Sequence, residues 1–192
     1  MRISIIGFLG GLFGILHAQT ASWESSLVQS ANATNQLTTL HRQLGKSVYW
    51  IGTGIPALSC FKALFKKDSV SKRQALRITT GVVSNALVTW MLKEGFKRTR
   101  PYEQNLLIQC YDPSADGYSL PSGHASTAFN IATSLSLEYP KWYVLVPTYC
   151  YAGWVSFSRI QLGVHYPSDV IIGALIGSGL SWLSWKLEKK IN

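Results

Sequence analysis

Three short clusters in this chain combine residue types that could move a phosphoryl group. The stretch Ser158 to Asp169 sets Arg159, His165 and Asp169 among apolar helical segments, where polar side chains need a reason to be present. Asp169 follows His165 by four residues, with Pro167 between them. A turn of that length can bring the carboxylate against one imidazole nitrogen and leave the other as an aimed nucleophile. Arg159 lies upstream and could hold the anion under attack. The second cluster is Lys93, six further residues, then Arg100-Pro101. A proline disfavours helix at the residue before it, so a helix ending here would turn both cations toward a common spot. Two fixed cations, one of them a guanidinium fork, suit a doubly charged group; basic residues at a helix end also stabilise its dipole. In the third cluster, Pro121-Ser122-Gly123-His124, a loop turns into a helix. Ser122 is a good N-cap, and Gly123 lets an anion approach the backbone N–H groups. His124, one position on, could donate a proton to a departing oxygen. Each cluster alone has a plain structural use as a helix cap or end. Together they supply cations, an anion-binding helix start, an acid, a nucleophile and an orienting carboxylate.

The elements that must position these residues are apolar. The chain has 192 residues, is 47% hydrophobic and only 14% charged, and carries seven Trp and nine Tyr. A soluble domain has a charged share of about 25%. This balance indicates a helical protein buried in itself or in a membrane. The net charge is +9, but the basic residues crowd a few connections and form no aromatic-interleaved stripe, which speaks against nucleic acid as a partner. Cys60, Cys110 and Cys150 are an odd number without metal-like spacing, so neither a disulfide framework nor a cysteine-bound metal is expected. Cys60 and Cys150 lie in apolar stretches and are expected to pack inside.

In order, Arg2, the apolar run Ile3–Leu16 and His17-Ala18-Gln19 have the layout of a secretory signal. Residues 1–18 are read as a signal peptide or N-terminal signal anchor, and 19–192 as a single helical domain. Residues 20–42 are polar; Trp23, Leu27, Leu37 and Leu40 would line one side of a surface helix. Apolar segments follow at about 47–61, 78–92, 124–138, 142–158 and 170–185. None reaches the roughly 18–20 uninterrupted apolar residues of a clear transmembrane helix. Two patterns nonetheless favour a membrane. Trp50, Trp90, Trp142, Trp182 and Trp185 stand near segment ends. Threading the segments up and down also puts Lys62, Lys66, Lys67, Lys72, Arg73, Arg77, Lys141, Lys186, Lys189 and Lys190 on one side, opposite the three clusters. The positive-inside rule makes that side cytoplasmic. The expectation is an all-α helical bundle, integral to the cell (inner) membrane with five to six spans, its site on the extracytoplasmic or periplasmic face.

Lys93-x6-Arg100-Pro101, Pro121-Ser122-Gly123-His124 and Ser158-Arg159-x5-His165-x3-Asp169 resemble the three signature motifs of the type 2 phosphatidic acid phosphatase superfamily. The resemblance implies a helical bundle and metal-independent hydrolysis through a phosphohistidine, with no cofactor. It implies His165 as nucleophile, Asp169 as its orienting carboxylate and His124 as general acid. Lys93, Arg100 and Arg159, with Ser122 and the Gly123 backbone, would form the phosphate clamp. The partner implied is a phosphorylated lipid, such as an isoprenyl pyrophosphate, phosphatidate, phosphatidylglycerophosphate or a lipid A phosphate. The superfamily also holds soluble secreted acid phosphatases, vanadium haloperoxidases and lipid phosphotransferases. A secreted acid phosphatase of broad specificity, or a non-catalytic phosphate-binding membrane protein, are the alternatives.

Overall fold

A computed structural model describes residues 23–34 and 36–191. The signal or anchor reading of residues 1–18 lies outside them. The described residues are helical, with no strand among them: α1 (23–33), α2 (Thr38–Lys66), α3 (Ser69–Phe96), α4 (Pro101–Gln104), α5 (Gly123–Glu138), α6 (Trp142–Gln161) and α7 (Pro167–Ile191). Local chemistry sets the breaks. Lys67 takes a left-handed conformation that closes α2, and the Asp68 carboxylate caps α3 by accepting from the Ser71 N–H at 2.7 Å. Ser122 caps α5, and Pro167 supplies the preset first turn of α7.

The helices run longer than the apolar segments. α2 has 29 residues where 47–61 was expected, because His41 and Gly45 continue its inward face toward the site. The single surface helix expected around residues 20–42 is instead two elements. Trp23 and Leu27 are exposed on α1, and Leu37 and Leu40 are exposed at the start of α2. What α1 buries is Glu24, Val28 and Asn32, one face at four-residue spacing. Val28 packs with Ile108 and Tyr166, and the Asn32 side-chain amide donates to the carbonyls of Gln109 and Gln161, both at 2.9 Å.

The bundle is polar inside and apolar outside. α5, the central helix, packs against α2, α3, α6 and α7. It buries Ser126, Asn130 and Ser134 along with Ala125, Ala128, Ile131 and Ala132. Asn85 of α3 donates to Ser126, Asn130 donates to the carbonyls of Gly81 (3.1 Å) and Gly177 (2.9 Å), and Ser134 bonds Ser181 at 2.8 Å. Such inter-helix bonds hold helices together where lipid gives no hydrophobic drive. Small residues let the backbones meet: a Cβ on Gly177 would lie 2.0 Å from the Ser126 carbonyl oxygen. Conversely Leu58, Phe61, Phe65, Leu87, Trp90 and Leu175 are exposed. Cys60 and Cys150 share that outer face, so the expected interior packing of these cysteines does not occur; all three are free and exposed. An apolar stretch in this bundle points outward. Three helical stretches, Thr38–Lys66, Ser69–Gln104 and Pro167–Lys190, are long and apolar enough to cross a membrane. α5 and α6, at 16 and 20 residues, complete the bundle.

The alternating course of α2, α3, α5, α6 and α7 gathers their ends into two groups. Ten of the eighteen Lys and Arg residues, from Lys62–Arg77, Lys141 and the end of α7, lie at one end. There Arg77 is anchored to Glu138 at 3.0 Å and to Glu188. The three clusters converge at the other end, where the basic residues Arg42, Lys46 and Lys97 also lie.

Candidate active site

A cavity of about 250 Å³ opens at that second end, lined among others by Lys93, Arg100, Gly123, His124, Arg159 and His165. These site residues, up to 72 positions apart between Lys93 and His165, come from helix ends and the connections between them, and Tyr49 of α2 joins them in the lining. Lys93, on the last turn of α3, donates to the Tyr118 carbonyl. Arg100 precedes Pro101 in extended conformation, as the proline requires. Its guanidinium donates to the carbonyls of Gly117 (3.0 Å), Val164 (2.9 Å) and Asp116 (2.5 Å). Gly117 sits at φ +61, a left-handed position that glycine takes without strain, and so turns its carbonyl to the arginine. Arg100 Nη1 also lies 3.5 Å from His165 Nε2.

Arg159 is 1% exposed. Its Nη2 pairs with Asp112 at 2.5 Å, while Nε and Nη1 find no hydrogen-bond partner among the described residues. Two buried, unpaired guanidinium donors in a cavity wall are an anion site in waiting, since leaving them unmatched is costly. Gly45 makes room for them. A Cβ there would lie 2.6 Å from Arg159 Nη1 and 3.5 Å from His124 Nε2, so these two atoms approach one point. His124 meets the Tyr49 ring edge to face at 4.9 Å. Gly123 leaves the helix start bare, a Cβ there meeting nothing closer than Thr89 at 3.9 Å. Ser122 does not line the cavity; its hydroxyl accepts from the Ala125 N–H at 3.5 Å, and its own N–H donates to the Asp169 carbonyl oxygen at 3.0 Å.

His165 stands with its Nε2 edge toward Arg100 and its Nδ1 edge toward Asp169 and Ser119. The Nδ1–Asp169 Oδ2 distance is 3.6 Å, an ion-pair separation slightly beyond hydrogen-bond length. Asp169 is otherwise saturated: Oδ1 accepts from Arg98 at 2.6 Å, and Oδ2 from the Tyr166 N–H at 2.8 Å and from the Ser119 hydroxyl. Complete burial pushes the His165 imidazole down to about 4; Asp169 opposes this, and Arg100 and Lys93 add to it. The ring is therefore held neutral at ordinary pH. Burial pushes Asp112 up, but the Ser114 hydroxyl and Arg159 outweigh it and hold the carboxyl at about 2. Among the described residues no group of three His, Cys, Asp or Glu side chains comes together that could hold a metal ion.

Every residue singled out in the sequence reaches this region, Asp169 and Ser122 from behind the cavity wall. The partners Asp112, Arg98, Glu24, Ser119 and Gly45 were not singled out. Only Arg98 carried a signal, as part of the basic run Lys97-Arg98-Thr99-Arg100.

Beside the polar cavity lies an apolar one of about 520 Å³. Trp50, Ile55 and Leu58 of α2 face Ile131 of α5 and Pro147 and Tyr151 of α6 across it. It begins one residue beyond Tyr49 and one helical turn beyond His124, so the two spaces adjoin.

The chain is similar to known phosphatases. The chain is 29% identical over 160 residues to an undecaprenyl-diphosphatase of Sulfolobus acidocaldarius, covering 80% of this chain and 73% of that one. It is 31% identical over 165 residues to a lipid A 1-phosphatase of Rhizobium etli, covering 79% and 70%. The fold matches a transmembrane PAP2-type phosphatidylglycerolphosphate phosphatase from Bacillus subtilis with a TM-score of 0.69 over 99% of this chain and 96% of that one, at 24% identity. With the sequence model of the PAP2 superfamily matching residues 74–192, which hold all three clusters, the chain belongs to the PAP2 superfamily.

Proposed function

We propose that this membrane phosphatase of the PAP2 superfamily hydrolyses a lipid phosphate or pyrophosphate through a phosphohistidine on His165, without a metal, on the extracytoplasmic face of the inner membrane. The observation that carries the mechanism is the convergence on one cavity of the His165 Nε2 edge, His124 and the unpaired donors of Arg159. The phosphoryl oxygens sit against Arg159, Lys93, Arg100 and the N–H groups at the α5 start, which supply the positive charge the transition state needs. The Nε2 lone pair attacks phosphorus, the bond to the lipid oxygen breaks, and His124, having taken a proton from the incoming phosphate monoanion, gives it to that oxygen. The phosphorylated ring, protonated at Nδ1, is cationic and faces Asp169. Water then attacks phosphorus, His124 takes its proton, and the N–P bond breaks to release phosphate and the neutral imidazole.

The adjoining apolar cavity favours a lipid over a small soluble ester, since a hydrocarbon chain leaving the phosphate has an apolar path. The crowding of ten basic residues at the opposite end favours that end as the cytoplasmic one. Neither the secreted acid phosphatase nor the non-catalytic reading is favoured, given the relatives and the apolar exterior.

The test is phosphate release by the purified protein from a panel of isoprenyl diphosphate, phosphatidate, phosphatidylglycerophosphate and lipid A phosphates. Release should survive EDTA, be inhibited by vanadate, and vanish with the acid-labile phosphoenzyme in His165→Ala. Activity lost on chelation and restored by added metal would overturn the mechanism.

A further inference from the structure

The mechanism above makes no use of Glu24, yet this carboxylate is 1% exposed and lies far outside the three clusters. It sits in the first turn of α1. Its Oε1 accepts from the Ser168 N–H at 2.8 Å, and its Oε2 from Arg98 Nη2 at 2.8 Å. The other Arg98 amino group donates to Asp169 Oδ1 at 2.6 Å and to the Ser168 hydroxyl at 2.7 Å. The guanidinium lies over the Tyr166 ring, 4.2 Å from its centroid. Arg98 thus bridges two buried carboxylates, one of which stands behind His165.

This geometry has an electrostatic consequence. A guanidinium in contact with Asp169 cancels much of the field that the carboxylate exerts on the imidazole. Glu24 on the far side of Arg98 returns the trio to a net single negative charge. The other charged or titratable groups lining the cavity with His165 are Tyr49 on α2, Lys93 and Glu94 at the end of α3, Arg100 before α4, Tyr118 on the connection to α5, His124 on α5 and Arg159 on α6. Asp112 and Asp116 lie on the connection beyond them, Asp112 engaged by Arg159. Glu24, Arg98 and Asp169 therefore form the negative group on the Nδ1 side of His165, while Lys93, Arg100 and Arg159 outnumber the carboxylates Glu94 and Asp116 in the cavity lining.

We infer that Glu24 and Arg98 are positioning residues for the reaction. Arg98 fixes the Asp169 carboxylate behind His165, and Glu24 offsets the Arg98 charge so that Asp169 still supports the cationic ring formed when Nε2 carries the phosphoryl group. This rests on the proposed phosphohistidine mechanism. It also gives α1, a helix outside the motif-bearing region, a part in the chemistry.

The experiment compares full-length wild type with Glu24→Gln, Arg98→Gln and Arg98→Lys, measuring kcat and KM against pH with one lipid phosphate. Because the substrate phosphate itself titrates near neutrality and would mask a lower limb, His165 is also followed by imidazole NMR in the substrate-free proteins, and the acid limb of that titration reads its protonation. Loss of the Glu24 charge should move the limb to lower pH by about half a unit or more, and loss of the Arg98 charge should move it to higher pH. Arg98→Lys should restore the wild-type position. In both neutral variants kcat should fall by roughly tenfold or more, with KM changed far less. A purely structural role would lower kcat and thermal stability without moving the limb. An active, folded Glu24→Gln enzyme with an undisplaced limb, or displacement of both neutral variants in one direction, overturns the inference. If Arg98→Gln does not fold, the Glu24→Gln limb decides alone. A wild-type protein without lipid phosphatase activity would instead sink the functional reading, and this inference with it.

Discussion

Asp112→Asn tests whether Arg159 is held as an anion site. The substitution keeps size and shape but removes the charge opposite a guanidinium 2.5 Å away. Both partners are buried, with side chains 2% and 9% exposed. Arg159 also leaves Nε and Nη1 without partners among the described residues, so the variant places a cation in the cavity wall with no compensating charge. The depression of the Asp112 carboxyl from 3.8 to about 2 gives one magnitude. That depression corresponds to about 2–3 kcal/mol of folding free energy, of which the Ser114 bonds, also open to Asn, supply part, leaving roughly 2 kcal/mol for the lost charge. Breaking a fully buried pair costs about 3–5 kcal/mol, an upper bound because the cavity admits water. A loss of about 2 kcal/mol should lower the melting midpoint by roughly 4–8 °C for a chain of this size. Vanadate should then raise the midpoint of the variant more than that of wild type, because the anion supplies the missing counter-charge. Thermal unfolding in detergent, with and without vanadate, is the assay. Equal midpoints for the two proteins, or an equal vanadate increment, would refute the reasoning. The sign with pH follows from the depressed carboxyl: its contribution is complete above about 4 and disappears as pH falls through about 2.

Three further outcomes are expected. The wild-type His165 imidazole, followed by NMR in the substrate-free protein, should titrate well below pH 6.5, toward the value of about 4 to which burial pushes it. The same residue should weaken folding as pH drops from about 6.5 to 4, because the unfolded chain binds the proton that the buried ring refuses; a ring titrating near 6.5 in the folded protein would contradict this. Gly177→Ala should destabilise the protein by about 3 kcal/mol or more, read as a lower melting midpoint, because its Cβ would lie 2.0 Å from the Ser126 carbonyl oxygen and force α7 off α5. Gly179→Ala on the same helix, where a Cβ meets nothing within 4 Å, should be nearly neutral. Single cysteines at positions 69 and 114, in a cysteine-free background, should react differently with an impermeant thiol reagent on intact cells. Ser114 lines the active-site cavity and should label, whereas Ser69 lies between the basic ends of α2 and α3 and should not; labelling at both would sink the proposed orientation.

The three clusters were legible because each is local. A histidine and an aspartate four residues apart across a proline, or a serine and glycine opening a helix, declare their geometry in a few residues. Their supports were not legible, because a buried charge does not announce its partner. Asp112 meets Arg159 across 47 positions, and Glu24 meets Arg98 across 74. Arg100 and Lys93 are held by main-chain carbonyls of residues 116–118 and 164, which, the left-handed Gly117 aside, place no demand on the side chain.

The misreadings share one physical cause. In a soluble bundle an apolar residue inside a helix is presumed to face the core, and on that rule Cys60 and Cys150 belonged inside, while the one surface helix drawn through Trp23, Leu27, Leu37 and Leu40 proved to be two elements. This bundle reverses the rule. Asn85 and Asn130 are among its most buried residues, at 1% and 0% exposure, while Leu58, Leu64 and Leu175 are exposed. An apolar solvent removes the penalty for exposing leucine and adds one for exposing a side-chain amide. The polar residues that seem to interrupt the segments are therefore their contact faces. Asn85 interrupts 78–92 and Asn130 interrupts 124–138, and each bonds a neighbouring helix. Reading helix ends from the first and last apolar residue then truncates every segment whose final turns carry the site. That is why α2 extends through His41 and Gly45 to reach Arg159, and why α3 extends through Lys93 to reach the cavity.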